Sequence, residues 1–324
     1  MSFDGIRSQE PAIRLLRQSL RSRRLASAYI LSGPEGVGKG LVALAFARAI
    51  LCPGSAERTE ACGSCGACIR SAAGTHPGLL VLERAAGRTE ILLAQVHELT
   101  ASLSLRPAEG DRTAVIVRDA ERLNEEGFNA LLKSVEEPPP GATFVFTTLN
   151  REAVPETIRS RSQHIRFRPL PRESVREILL AAGVEEARAN AASELAEGSM
   201  GRATRILGMG LAERLGDLEK VLASERDAVA AAAALGGLLT PGGGRHDREG
   251  LRERAEEILR TVLGLARRRF LVAPDGRGEL DDAGFCFRAI ARGLDNLRLN
   301  LPVDVVFVSV LGEVLPRWQK RPSM

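Results

Sequence analysis

The chain has 324 residues, of which 44% are hydrophobic and 27% charged, and this composition is typical of a folded globular protein rather than a disordered one. The length predicts two or three domains, and a formal net charge of +4 does not distinguish a nucleic-acid partner from a solvated arginine-rich surface. There is no run of about 18 apolar residues to span a bilayer and no signal-peptide pattern, so we expect a cytoplasmic protein with no membrane partner.

Short apolar runs alternate with helical patterns over residues 1–168. The runs that we interpret as strands are Ala28–Leu31, Leu79–Leu82, Ala114–Val117, Thr143–Thr147 and His164–Phe167. Helices are predicted near 10–22, 39–51, 90–103 and 124–136, and Asn124 is the expected N-cap of the last. Such runs are typical of strands buried on both faces, so the pattern predicts an α/β fold with a parallel sheet and crossover helices.

A glycine-rich loop at residues 33–40, with the sequence GPEGVGKG, follows the first predicted strand and precedes a predicted helix. This is the phosphate-loop pattern in the strand-loop-helix context that it requires. Its glycines let backbone amides turn toward phosphate oxygens, and its lysine is placed to reach the terminal phosphates. The predicted nucleotide-binding residues are Gly33, Gly36, Gly38 and Lys39.

Two groups that normally hold magnesium beside such a loop are missing. Gly40 ends the loop and offers no hydroxyl, and Arg118 stands where the metal-binding carboxylate belongs, with Asp119 in the place of the catalytic glutamate. A shifted register would make Asp119 the metal ligand but would leave Gly40 unexplained. We therefore expect neither Mg²⁺ nor efficient hydrolysis, while binding of ATP or ADP stays open.

Four of the five cysteines follow the phosphate-loop helix in the order Cys-x9-Cys-x2-Cys-x2-Cys, at Cys52, Cys62, Cys65 and Cys68. A cytosolic chain disfavours a disulfide framework, and this spacing predicts a closed, structural Zn²⁺ site with four thiolate ligands. An iron–sulfur cluster and unmetallated thiols remain open alternatives. Cys286 stands alone among apolar residues and is predicted to lie in a core.

Ser160 and Arg161 lie between the fourth and fifth predicted strands. An arginine in such a loop can project out of its own domain and complete the ATP site of a neighbouring subunit. Taken alone, Arg161 is better explained as an ordinary surface residue, because arginine is abundant in this chain.

The order of these segments resembles the bacterial DNA polymerase III clamp loader, an AAA+ family of circular five-subunit assemblies. The resemblance covers about residues 1–207 and rests on four features: the phosphate loop, the cysteine module behind it, the segment FNALLKSVEEPP at 128–139, and Ser160-Arg161. It implies a nucleotide-binding AAA+ domain at 1–168 with the zinc module at 52–68, a small helical lid at 169–208, and a helical collar for oligomerisation at 209–324.

The family contains motor subunits that resemble intact ATPases and one subunit that lacks magnesium ligands and lends the arginine of a Ser-Arg-Cys motif to a motor neighbour. Gly40 and Arg118 match the second kind, so the resemblance assigns Arg161 that catalytic role in trans, with Ser162 in place of the usual cysteine. The nucleotide-sensing arginine of motor subunits falls at Gly201, with Arg202 one residue beyond.

The resemblance also implies partners: motor and delta subunits in a hetero-pentamer, and through that assembly the sliding clamp and primed DNA. Two other functions are weighed against this one. A motor subunit would hydrolyse ATP in isolation. A zinc-bearing DNA-binding module would bind DNA in a salt-sensitive way, but one Trp, one Tyr and ten Phe provide little aromatic surface for stacking.

Overall fold

The computed structural model describes residues 2–85, 88–104, 110–239, 248–271 and 277–319. The chain divides into two compact units, the first comprising Met1–Ser174 with Gly198–Met200 and the second comprising Val175–Glu197 with Gly201–Met324. Within the described ranges, no helix combines the length and the apolar character needed to cross a membrane.

The first unit is built on a five-stranded parallel sheet with the spatial order β2-β3-β4-β1-β5. Its strands are β1 (Ala28–Ser32), β2 (Leu79–Leu82), β3 (Thr113–Val117), β4 (Ala142–Thr148) and β5 (Ser162–Arg166). The five predicted strands are confirmed. The largest error is at the start of β5, where half-buried polar residues on an edge strand give no apolar signal.

Helices cover both faces of this sheet and connect its strands. They are α1 (Glu10–Arg21), α2 (Lys39–Leu51), α3 (Ser55–Arg58), α4 (Gly66–Ala72), α5 (Leu93–Leu103), α6 (Glu125–Glu136) and α7 (Glu156–Arg159). The predicted N-cap of α6 is confirmed, because the Gly127 backbone N–H donates to Asn124 Oδ1 over 2.8 Å.

Burial on both faces of the central strands fixes the elements around the phosphate loop. On one face Val115 and Phe144 join the core that holds α5 and α6. Helix α2 is buried around almost its whole circumference, and Phe46 meets Tyr29 of β1 in an edge-to-face ring contact with centroids 4.9 Å apart. The strand, the loop and the helix that build the predicted nucleotide site are therefore held by ordinary core packing.

The chain from Arg172 onward is helical in the described ranges, as predicted for the lid and the collar. These helices are α8 (Arg172–Ala181), α9 (Glu186–Leu195), α10 (Met200–Gly208), α11 (Leu215–Ser224), α12 (Ala228–Leu239), α13 (Arg248–Leu271), α14 (Arg277–Arg298) and α15 (Val303–Trp318). Within the second unit α14 packs against both α13 and α15. The three-domain division with boundaries after 168 and 208 stays a prediction.

Two glycines with the same backbone conformation test how tightly the sheet is built. Gly141 and Gly110 have φ of +79° and +71°, but a Cβ at Gly141 would lie 1.9 Å from the Asp111 carbonyl oxygen, whereas one at Gly110 would meet nothing within 4 Å. We expect Gly141→Ala to lower the free energy of unfolding by about 3 kcal/mol or more, and Gly110→Ala by only about 1 kcal/mol. Denaturant unfolding followed by circular dichroism measures both, and equal losses would show that the close contact is not what requires glycine at 141.

Candidate nucleotide and metal sites

The phosphate loop joins the end of β1 to the start of α2, at the edge of the sheet where the strands have their carboxyl ends. Gly33, Gly36 and Gly38 have φ of +152°, +70° and +97°, which favour glycine. At Gly33 a Cβ would also lie 2.6 Å from the Phe167 carbonyl oxygen. The predicted glycines are therefore required by the shape of the loop, whether or not it holds a nucleotide.

Lys39 is the first residue of α2 and is only 6% exposed. Its Nζ donates hydrogen bonds to the carbonyl oxygens of Gly33 at 2.7 Å and Pro34 at 2.6 Å. The ammonium group thus stabilises the loop that carries it. It must leave these carbonyls before it can reach a terminal phosphate.

Three carboxylates act on this lysine. Burial lowers the pKa of Lys39, while the negative charges of Glu121, Asp119 and Glu35 oppose that shift. Partial burial and then the charge of Glu121 raise the pKa of Asp119, and Lys39 opposes this. A polyphosphate bound here would add negative charge beside these carboxylates. A magnesium ion would offset that charge, but the usual hydroxyl ligand for it is missing at position 40.

Positions 40 and 118, where magnesium ligands normally stand, have different surroundings in this chain. A Cβ at Gly40 would meet nothing within 4 Å, so packing does not exclude a side chain there. Arg118 follows β3, and its Nη1 lies 2.7 Å from Glu83 Oε2, beyond the end of β2. Because β2 and β1 lie on opposite sides of β3, the guanidinium group in this ion pair lies on the side of β3 away from the phosphate loop.

Sequence reasoning missed the contacts that brace this edge of the sheet. The Asp119 backbone N–H donates to Thr147 Oγ1 at 3.0 Å, and the Leu149 N–H donates to Glu121 Oε2 at 3.2 Å, so the ends of β3 and β4 are tied together. The Met200 N–H donates to the Gly36 carbonyl at 2.9 Å. Thr147, a polar residue near the end of β4, was the available signal for the first contact, whereas nothing local marks the other two.

The four clustered cysteines come together as predicted, with their Sγ atoms all within 4.8 Å of one another. Cys62 Sγ and Cys68 Sγ are 3.8 Å apart, close to the separation of about 3.8 Å that a tetrahedron with Zn–S bonds of about 2.3 Å requires. Cys52 follows the last residue of α2, and Cys65 is the N-cap of α4. The donor set, its count and its spacing fit a closed tetrathiolate metal site.

Backbone amides also prepare these sulfurs to act as ligands. The N–H groups of Cys62, Cys65 and Cys68 each donate to the sulfur of the preceding cysteine in the set, at 3.4 Å in every case. The N–H groups of Ser64 and Cys65 lower the pKa of Cys62 to about 5, whereas burial raises the pKa of Cys52 and raises that of Cys68 to about 12. A metal ion would supply the charge that the two buried thiolates need.

Arg161 lies between α7 and β5, at the opposite edge of the sheet from the phosphate loop. In the parallel pairing of β5 with β1, Ser162 stands beside Ala28, while the loop begins after Ser32. The four residue steps between those positions span about 13 Å at the usual strand rise. The phosphate loop of the same molecule is therefore out of reach of Arg161.

The Arg161 side chain is 47% exposed and only loosely held. Its Nη1 donates to the Thr157 carbonyl at 3.1 Å and to Ser160 Oγ at 3.4 Å, and its Nη2 is 3.8 Å from Glu136 Oε1. An ion pair at this exposure contributes about 0–1 kcal/mol, so little stability is lost when the side chain swings outward.

Arg202, one residue beyond the sensor position of motor subunits, belongs to a buried ion-pair network of the second unit. Its side chain is 6% exposed and contacts Glu197 at 2.7 Å and Glu257 at 3.0 Å. Glu257, which is 2% exposed, also accepts from Arg205 at 3.5 Å. These contacts join α10 to α13, and they account for an arginine at 202 without a nucleotide.

Comparison with known proteins identifies the family. A family model described as "DNA polymerase III, delta subunit" matches residues 8–171, just over half of the chain. The chain belongs to this family. The matched range contains the sheet, the phosphate loop, the cysteine cluster and Arg161.

Individual relatives agree with this assignment over similar lengths. The chain is 35% identical over 192 residues to DNA polymerase III subunit delta' of Pseudomonas aeruginosa, covering 58% of each protein. It is 35% identical over 178 residues to subunit gamma/tau of Mycobacterium tuberculosis strain H37Rv, covering 55% of this chain and 30% of that one. The matches thus span less than two thirds of these curated relatives.

Solved structures align over more of the chain at lower similarity. A DNA polymerase III gamma subunit-related protein from Thermotoga maritima aligns over 96% of this chain and all of its own, at 16% identity and a TM-score of 0.49. The RuvB protein of the same organism aligns over 98% of this chain and 88% of its own, at 18% identity and a TM-score of 0.45. Similarity at this level carries no functional information.

Replacing Arg202 tests the buried network. We expect Arg202→Met to lower the free energy of unfolding of the second unit by about 3 kcal/mol, because Glu257 keeps its buried charge and loses its ion pair with Arg202. The matched control is Arg260→Met, which breaks a half-buried i,i+4 pair with Glu256 in α13, the helix that carries Glu257, and should cost under about 1 kcal/mol. Denaturant unfolding distinguishes them, and equal losses would contradict a structural role for Arg202.

Proposed function

We propose that the chain is the delta-prime-type, non-hydrolysing subunit of a DNA polymerase III clamp loader. It lends Arg161 to the ATP site of a neighbouring motor subunit and so supports loading of the sliding clamp onto primed DNA in the cytoplasm. The observation that carries this proposal is the position of Arg161: exposed, loosely held, and at the sheet edge opposite its own phosphate loop.

The chemistry of the arginine suits this role. A guanidinium group stays charged at any physiological pH and presents several N–H donors in one plane, which matches the oxygens of a transferring phosphoryl group. Such an arginine supplied by a neighbour accelerates turnover by roughly 10³- to 10⁵-fold. Because its contacts with Thr157 and Glu136 are weak, Arg161 can exchange them for phosphate oxygens when a motor subunit docks.

The composition of the chain's own nucleotide site supports the absence of hydrolysis. Gly40 supplies no hydroxyl for magnesium, and Arg118 is held toward Glu83. Asp119 remains near Lys39, so the shifted-register alternative stays open for that residue alone. One carboxylate without the hydroxyl leaves magnesium with an incomplete set of ligands, and the charge that develops on the phosphoryl group is not neutralised.

The relatives supply the partners in this proposal. Subunits named delta' and gamma/tau belong to DNA polymerase III, and the chain matches both at 35% identity. We therefore propose motor and delta subunits of a hetero-pentamer as direct partners, with the clamp and primed DNA met through the assembly. The cysteine cluster holds a structural Zn²⁺ in this proposal, and binding of ATP or ADP to the loop is not required by it.

The second candidate is a motor subunit, which the equal identity to gamma/tau favours. It differs from the first candidate in one measurable property, since a motor subunit hydrolyses ATP when its own magnesium ligands are in place. ATP hydrolysis by the chain in isolation would favour it.

Arg161→Ala is expected to lower the DNA-stimulated ATPase rate of the reconstituted assembly by roughly 10³-fold at the site that Arg161 completes, without preventing assembly. The reason is that the motor subunit keeps its nucleotide and magnesium but loses the cation that stabilises transition-state charge. Turnover is measured by phosphate release, and assembly by size-exclusion chromatography of the same samples.

Arg166→Ala serves as the matched control, because Arg166 is an exposed arginine at the far end of the same strand β5. It should leave assembly turnover within about twofold of the unmodified protein. Unchanged turnover with Arg161→Ala, or the same loss with both variants, would remove the arginine-donor mechanism and leave the chain as a scaffold.

Removing zinc is expected to lower the melting temperature of the isolated chain by roughly 5 °C or more, because four ligands from α2, α4 and the segment between them lose their common anchor. Metal is removed with a chelator, its loss is verified by elemental analysis, and unfolding is followed by circular dichroism. Cys65→Ser should abolish stoichiometric zinc, whereas Cys286→Ala, at a buried cysteine of the second unit, should leave it unchanged. Zinc loss without a change in melting temperature would exclude a stabilising role.

A further inference from the structure

A buried arginine lies beside the cysteine cluster and is not explained by the predicted metal ligands. Arg48 is in the last turn of α2, four residues before Cys52, and is 6% exposed. Its Nη2 donates to the backbone carbonyl of Cys68 at 3.4 Å, and Ser71 Oγ donates to the same oxygen at 3.1 Å. Arg48 thus connects α2 to the first turn of α4, where a predicted metal ligand lies.

The charge of Arg48 is not paired with a carboxylate in the described part of the chain. No ion pair joins it to an Asp or Glu there, and its Nε has no hydrogen-bond partner among those residues. A guanidinium group is a permanent cation in proteins, and a buried charge without compensation strongly destabilises a fold. The carbonyl ends of α2 offer only a partial negative charge, about half an electron.

A metal-bound cluster would supply the missing charge. One Zn²⁺ ion with four thiolates carries a net charge of about −2, and it would lie next to the Cys68 peptide that Arg48 contacts. The buried guanidinium group and a metal-bound tetrathiolate centre would therefore compensate each other's charge.

We propose that Arg48 is a positioning residue for the tetrathiolate centre: it balances the negative charge of the zinc-bound thiolates and fixes the Cys68 peptide through its carbonyl. This proposal rests on the zinc site in the proposed function and adds a residue outside the ligand set. Partners of this kind typically change metal affinity by about 10- to 100-fold when they are removed.

Two substitutions separate charge from geometry. Arg48→Met keeps an unbranched apolar stem and removes the charge, and we expect it to raise the zinc dissociation constant by about 10- to 100-fold. Arg48→Lys keeps the charge but loses the planar donors, and it should raise the constant by less. Affinity is measured by competition with a chromophoric chelator, and Co²⁺ substitution reports the thiolate-to-metal absorption of each protein.

Arg70→Met is the matched control, because Arg70 is an exposed arginine in α4, two residues after a ligand. It should change the zinc dissociation constant by less than about threefold, since water and salt screen its charge. Melting temperatures of the zinc-loaded and zinc-free proteins complete the test. A role in charge balance predicts that Arg48→Met destabilises the loaded form and leaves the zinc-free form unchanged or more stable.

The outcomes assign failure to one proposal or the other. If the unmodified chain holds no zinc, the zinc site itself falls and this inference falls with it. If the unmodified chain binds zinc and Arg48→Met binds it equally well, or if Arg48→Met destabilises both forms to the same extent, the zinc site stands and Arg48 is only a packing residue. Should Arg48→Met fail to fold, Arg48→Gln, which keeps a polar donor and removes the charge, decides, and an unchanged dissociation constant for that variant overturns the inference.

Discussion

The parallel pairing of β1 with both β4 and β5 is the constraint on which the two functional edges of the first unit depend. Parallel strands bring all carboxyl ends to one edge, so the phosphate loop after β1 and the acidic residues after β3 meet there. The same pairing sends the residue before β5 to the other edge, and Arg161 is that residue. One sheet thus separates the phosphate loop from the side chain that is proposed to act on another molecule.

The strands could be predicted because burial on both faces leaves continuous apolar runs, and the cysteine cluster because close spacing brings ligands together with little help from the rest of the fold. The start of β5 could not be predicted, because an edge strand tolerates polar residues and they leave no apolar run in the sequence. Contacts between residues far apart in the sequence leave no local pattern from which they could be predicted. Arg202 and Glu257 are 55 positions apart, and a buried arginine such as Arg48 looks like any other arginine until its surroundings are known.

Retention of a phosphate loop without its magnesium ligands has a structural explanation. The loop glycines adopt conformations that other residues disfavour, Lys39 is bound to the loop's own carbonyls, and Met200 donates to Gly36. Substituting the loop glycines or Lys39 would disturb the loop between β1 and α2 even if no nucleotide ever bound. Gly40 has no such role, because a side chain there would enter open space. A magnesium ligand at position 40 is therefore required only for the chemistry of hydrolysis, and the fold does not depend on it.

The same reasoning separates the two parts of the proposed function. Ligands at positions 40 and 118 would act only on a nucleotide bound to this chain, whereas Arg161 is proposed to act on a nucleotide bound elsewhere, and the contacts of Arg161 with Thr157, Ser160 and Glu136 do not involve the phosphate loop. In a ring of related subunits, the chain at the end of the series of ATP sites would need to donate an arginine to its neighbour. It would not need to hydrolyse ATP itself. A chain that has Gly40 and Arg118 at the magnesium positions and an exposed Arg161 has the pattern that the proposed function requires of that position, and the equal identity to delta' and gamma/tau does not provide this distinction.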